Sequence, residues 1–125
     1  MSGNYIPIIT KDETSKIFIE KVTFIEQELR KTVIYTDEDR CSCYAKIGDF
    51  IKYLDGRFFE CHQSYIINMD KVVKMREQTI FFENGHQITL GRDKFKHARQ
   101  KFSGYIIQGA NAITAQKILA RGLGL

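Results

Sequence analysis

The segment 60-ECHQSYIINMD-70 sets Cys61, His62, Gln63 and Ser64 ahead of an apolar Tyr65-Ile66-Ile67, with Asn68 behind it. Three chemistries are open to such a stretch: a nucleophile with its base, a metal site, or a polar surface at the end of a buried strand that reads another molecule. Catalysis fits poorly. On an extended strand successive side chains leave on opposite faces, so Cys61 and His62 would point apart. His62 and Ser64 could share a face, but no Gly-x-Ser-x-Gly elbow and no evident acidic partner for the imidazole accompany them. No catalytic residue is assigned. A metal site fits no better, since His62, His86, His97 and the three cysteines form no recognised ligand pair. Cys61 reads as a small buried hydrophobe that shares the core with Phe59. Recognition suits the remaining groups. Gln63 can pair with adenine in bidentate fashion and Arg92 with guanine, while lysines at 94, 96 and 101 can neutralise phosphates.

The elements that must position these residues come from a chain of 125 residues, enough for one domain with a real core. With 43% apolar and 27% charged residues the chain should fold, and its apolar runs are too short to span a bilayer. Asp12 and Glu13 stand where a secretory signal would turn apolar, so no membrane insertion is expected. Cys41, Cys43 and Cys61 are an odd set without framework spacing, which favours a reducing cytoplasm over a disulfide scaffold. Cys41 and Cys43, two apart on a strand, should share a face. Charge is uneven. Residues 1–90 hold 12 Lys/Arg against 14 Asp/Glu, whereas residues 91–125 hold 7 against 1. Most of that excess lies in 92-RDKFKHARQK-101, the pattern of a polyanion contact, although a solvated helix face would look the same.

Short runs rich in β-branched and aromatic residues dominate: 17–19, 22–25, 33–36, 41–46, 58–62, 65–67, 72–75, 80–82 and 88–90. The segment 37-DEDR-40 reads as a hairpin loop, and Asn84-Gly85 as a two-residue type I′ turn in which both residues take positive φ. Ile47, Phe50, Ile51 and Leu54 recur at helical spacing, with Gly56 as the positive-φ stop. Residues 92–102 look helical, and 111-NAITAQKILARG-122 looks like a second helix capped by Asn111.

The order of these pieces carries a resemblance. The run 22-VTFIE-26, the strand 33-VIYT-36, the helix 47–54, 58-FFECHQSYIINMDKV-72, 83-ENG-85 and 88-ITLGR-92 closely resemble the LytTR family of bacterial DNA-binding domains over about residues 16–102. The most distinctive part is Phe58, His62, Ser64, Tyr65 and, displaced by one, Asn68. The resemblance implies a mainly β, ten-stranded elongated fold with one short inserted helix, which docks on one side of B-form DNA and sends loops into successive major grooves. It divides the chain into an N-terminal extension at 1–15, the DNA-binding domain at 16–102 and a helical C-terminal extension at 103–125. It implies base contacts from Arg30, Lys31 and Thr32, from His62 and Gln63, and from Arg92. Phosphate contacts would come from Lys94, Lys96 and Arg99. Ser64 and Asn68 would fix backbone turns. Gln63 departs from the Arg or Asn common at its position and Gly91 from the usual Ser, which leaves the docking mode but alters the preferred base sequence.

A transcriptional regulator that binds double-stranded DNA at repeated sites, as a homodimer on DNA, is the function this implies, with no cofactor or metal. No receiver domain precedes the matching region, so both a stand-alone regulator and an excised piece of a longer chain fit. The apolar stripe Ala112, Ala115, Ile118 and Leu119 suits packing on the domain's own core; the competing reading is a protein-interaction module with weak or no DNA binding that uses it for dimerisation or for capture by an inhibitory partner.

Overall fold

The structure, a computed structural model, describes residues 4–110. Ten strands run in chain order: β1 (Tyr5–Ile9), β2 (Thr14–Phe18), β3 (Val22–Glu28), β4 (Lys31–Thr36), β5 (Arg40–Cys43), β6 (Phe58–His62), β7 (Tyr65–Asn68), β8 (Val72–Arg76), β9 (Thr79–Phe82) and β10 (Gln87–Thr89). Among the described residues one α-helix, α1 (Arg92–Gly109), follows them. The strands make a central antiparallel sheet of order β5-β4-β3-β7-β6, a three-stranded sheet β10-β9-β8, and the hairpin β1-β2.

Both faces of the central sheet are covered. Alternation along β3 sends Phe24 to one face and Ile25 to the other, and along β7 it does the same with Ile67 and Ile66. Phe24, Cys61 and Ile67 pack with Ile80, Phe82 and Ile88 of the three-stranded sheet and with Phe95, Ala98 and Phe102 of α1. Ile25, Ile34 and Ile66 pack on the opposite face with Ile6, Ile8, Ile47 and Phe50. A strand buried on both faces reads as a continuous apolar run, which is why β3 and β7 stand out in the sequence.

The β1-β2 hairpin lies largely within the expected N-terminal extension, and the boundary drawn at residue 16 falls inside β2. Ile6 and Ile8 are buried in the second core. Strand β1 is not among the runs legible in the sequence, and its Pro7 is tolerated because the strand has a free edge. The inserted helix is a 3-10 helix, Ile47–Tyr53. Its period of three places Ile47, Phe50 and Tyr53 on the packed face and turns Ile51 out to 47% exposure, so the α-helical spacing read from 47, 50, 51 and 54 holds only in part. It ends on an extended Leu54, and Gly56 does not take positive φ.

The hairpin at Asn84-Gly85 is present, but its turn is not type I′. Only Gly85 has positive φ (91°), and the loop spans four residues, with the Gly85 N–H donating to the Phe82 carbonyl (3.0 Å). Asn84 Nδ2 donates to Thr23 Oγ1 (3.2 Å), and its Oδ1 accepts from the His86 N–H (3.2 Å). A two-residue turn with both φ positive does occur, at Glu77 (53°) and Gln78 (65°) between β8 and β9, without the usual Asn or Gly. Helix α1 runs through the boundary expected at 102/103, whereas the expected helix at 111–122 lies outside the described residues.

Candidate nucleic-acid interface

Three segments bearing the candidate residues converge on one end of the central sheet. Strand β3 pairs antiparallel with both β4 and β7, with Glu26 opposite Val33 on one side and Tyr65 on the other. Hence the β3-β4 turn at Leu29-Arg30 and the β6-β7 turn at Gln63-Ser64 leave the same end. The Gln27 N–H donates to the Ser64 carbonyl at 2.9 Å and ties the two turns together. Helix α1 packs on β6, and Phe95 in its first turn belongs to the same buried cluster as Cys61 near the end of β6. The start of the helix therefore faces the same end.

Each segment is held from beneath. In the first turn the Gln27 side chain donates from Nε2 to the carbonyls of Leu29 (2.9 Å) and Lys31 (3.0 Å), and its Oε1 accepts the Ile47 N–H (2.7 Å). Arg30 and Lys31 are exposed at the tip, with the Lys31 ammonium over the Tyr44 ring at 5.1 Å. Thr32 does not belong with them. It is fully buried, and its hydroxyl donates to the Ala45 carbonyl at 2.7 Å.

In the second turn a β-bulge between Glu60 and His62 sets His62 opposite Tyr65 and leaves Cys61 as the extra residue, directed into the core. The local hydrogen bond expected of the Ser64 hydroxyl comes from His62 instead: the Ser64 backbone N–H donates to His62 Nδ1 at 3.0 Å. Because Nδ1 accepts, the neutral ring carries its proton on Nε2, which is left as a donor. Gln63 is exposed beside it. Glu26 accepts from the hydroxyls of Tyr35 (3.2 Å) and Tyr65 (3.1 Å). Burial first, and then the Glu26 charge, push both phenols up.

In the third segment Gly91 precedes the helix without a side-chain cap, and Arg92 is its first residue. The Leu90 backbone is clamped by Gln78, whose Nε2 donates to the Leu90 carbonyl (2.9 Å) and whose carbonyl accepts the Leu90 N–H (2.9 Å). At 100° per residue, Arg92, Lys96 and Arg99 share one flank of α1, and Lys94 and Lys101 share the other, on either side of buried Phe95, Ala98 and Phe102. Arg92 and Lys94 thus belong to the convergent end, whereas Lys96 and Arg99 lie one and two turns further along. None of Arg30, Lys31, Arg92, Lys94, Lys96 and Arg99 forms an ion pair with a described residue.

Leu29, Tyr44 and the supporting Gln27 were not singled out in the sequence. The available signal was the two-residue spacing between β3 and β4, which demands an unusual φ of whatever sits between them. Residues 103–109 continue α1, and Tyr105 packs on the core and donates its hydroxyl to Asp70. The apolar stripe proposed at Ala112, Ala115, Ile118 and Leu119 lies outside the described residues. No helix among the described residues is long and apolar enough to cross a membrane.

Cys61 is the buried thiol of this region, 4% exposed, and burial pushes it up to about 12. At neutral pH it should stay protonated and unreactive. Cys61→Ser is expected to lower unfolding stability by about 1–3 kcal/mol, the cost of a hydroxyl in an apolar site, and to leave the folded protein's affinity for DNA near wild type. Reversible loss of DNA binding on mild peroxide treatment, absent in Cys61→Ser, would show instead that this thiol is a sensor.

Known proteins carry the same pattern. The sequence model of the LytTr DNA-binding domain matches residues 12–103. Among solved structures, the LytTr DNA-binding domain of a Bacillus cereus protein described as a methyl-accepting/DNA response regulator superposes with a TM-score of 0.66 at 19% identity, covering 78% of this chain and 95% of that one. No curated protein sequence matches the chain. Ten strands in this order, the convergent turns and a family match over most of the length place the chain in the LytTR family of DNA-binding domains.

Proposed function

We infer that this domain binds double-stranded DNA sequence-specifically, by inserting its convergent turns into successive major grooves, and that it regulates transcription in the bacterial cytoplasm without catalysing a reaction. The observation that carries this reading is the convergence itself. Arg30 and Lys31, His62 and Gln63, and Arg92 and Lys94 arrive from three distant parts of the chain at one end of the central sheet, all but the half-buried His62 exposed, and free of ion pairs with described residues. A solvated helix face would account for the charges on α1. It would not account for the two turns beside it. Two copies bound at repeated sites would double the contact without requiring an extensive protein interface.

In a mobility-shift selection from genomic fragments at low salt, the domain is expected to retain a small set of fragments over excess bulk DNA; retention of none would overturn the reading. On a retained site Arg92→Ala should cost about 1–3 kcal/mol and relax preference at one base position, since a bidentate guanine contact is lost. Gln63→Ala should do the same at a different base. Lys96→Ala should weaken binding to all sequences about equally and reduce the magnitude of the salt slope by roughly one. Equal, uniform losses from Arg92→Ala and Lys96→Ala would make Arg92 a phosphate contact.

A further inference from the structure

The most exposed large apolar side chain among the described residues, Leu29 at 94%, stands at the tip of the β3-β4 turn between Glu28 and Arg30. An exposed leucine alone would mean little. Its backbone sets it apart. Leu29 takes φ 58° at the first central position of a two-residue hairpin, where glycine is the usual occupant and a leucine is strained. The Gln27 amide bonds to the Leu29 and Lys31 carbonyls and to the Ile47 N–H, which removes the turn's freedom to relax. A strained residue held rigidly, with its side chain in water, gains nothing for the fold. Strain of this kind concentrates where a side chain must be presented to something else.

We propose that Leu29 is a base-reading residue, whose side chain contacts the C5-methyl group of a thymine in the major groove. The proposal rests on the DNA-binding reading above and adds a specificity element to it. The site is the same convergent end, with the exposed Arg30 and Lys31 directly after Leu29 in the same turn. On the floor of the major groove every base presents hydrogen-bonding groups, and the thymine methyl is the one apolar feature an isobutyl side chain can select. Gln63 and Arg92 read polar edges; Leu29 would read the position they cannot.

The test uses a fragment retained by the wild-type protein, with each thymine replaced in turn by deoxyuridine, which lacks only the methyl. At one position the replacement is expected to weaken wild-type binding about fourfold, the worth of one buried methyl-sized group, and to leave Leu29→Gly and Leu29→Asn unaffected. Both variants should bind the unmodified fragment about tenfold more weakly than wild type. Both should melt at or slightly above the wild-type temperature, because glycine and asparagine accept the left-handed φ. If every deoxyuridine substitution leaves wild-type binding unchanged, or weakens wild type and variants alike, the thymine contact is overturned while the DNA-binding reading stands. If the wild-type protein retains no fragment at all, the DNA-binding reading fails and the role of Leu29 fails with it.

Discussion

Raising the salt concentration from about 50 to 200 mM is expected to weaken binding to the best site by roughly 250- to 1,000-fold, a slope of log K against log salt of about −4 to −5. That slope follows from the cations the fold leaves available. Arg30, Lys31, Arg92, Lys94, Lys96 and Arg99 are exposed and make no ion pair with described residues, while Lys71 is held by Asp37 at 3.0 Å and Arg57 by Asp55 at 2.9 Å. The first group can release counterions from DNA; Lys71 and Arg57 would first have to abandon a carboxylate. Lys94, Lys96 and Arg99 are assigned to phosphates, and the charges of Arg30, Lys31 and Arg92 at base edges displace further counterions, so the neutralisation is equivalent to roughly four to six phosphates. A titration of the retained fragment at several salt concentrations checks the slope. A flat response would mean that the basic flanks of α1 do not touch the phosphate backbone, and that 92-RDKFKHARQK-101 is a solvated surface.

How much of the fold and the site was legible in the sequence depends on how local its cause is. Nine of the ten strands show themselves as apolar or alternating runs, because burial on one or both sheet faces acts directly on consecutive residues. Strand β1 does not, since its place follows from what covers Ile25 and Ile66 across the sheet, a fact of tertiary packing. Turn chemistry misled in both directions. Asn84 promised a type I′ turn and instead sends its side chain to Thr23, 61 residues away, whereas Glu77-Gln78 forms such a turn without any residue that announces it. The candidate site was legible as a set of residue types, and the structure adds their convergence and their supports. Gln27 is the instructive case. In sequence it is one more polar residue at the end of a strand, yet three hydrogen bonds make it the brace of the first turn.

Asn68→Ala is expected to destabilise the fold more than Cys61→Ser does, lowering unfolding stability by roughly 2–4 kcal/mol. Asn68 is fully buried at the end of β7, and both ends of its amide are used. Nδ2 donates to the Val22 carbonyl at 2.7 Å, and Oδ1 accepts the Asp70 N–H at 2.9 Å, capping the 3-10 turn Met69–Lys71. The first bond closes the sheet where β3 begins, 46 residues away; the second turns the chain into β8. Alanine leaves a buried carbonyl and an N–H without partners, and such groups lose their hydration with no compensation. It also leaves a cavity between two well-packed cores. Asn68→Asp separates these costs. It keeps an acceptor for Asp70 and adds no cavity, but it sets a carboxylate oxygen against the Val22 carbonyl in a site closed to water. At neutral pH it should be at least as damaging as alanine, because the charge is buried without a cation, and it should recover part of the loss as the pH falls and the carboxyl regains a proton to donate. The sign is that of a group whose folded-state pKa is raised: the folded form binds the proton more tightly, so stability rises as the pH drops. Urea unfolding of both variants at two pH values measures this. A loss below about 1 kcal/mol for Asn68→Ala would mean that water enters and satisfies both partners, and that the residue is a local cap and not the joint between β3 and β7.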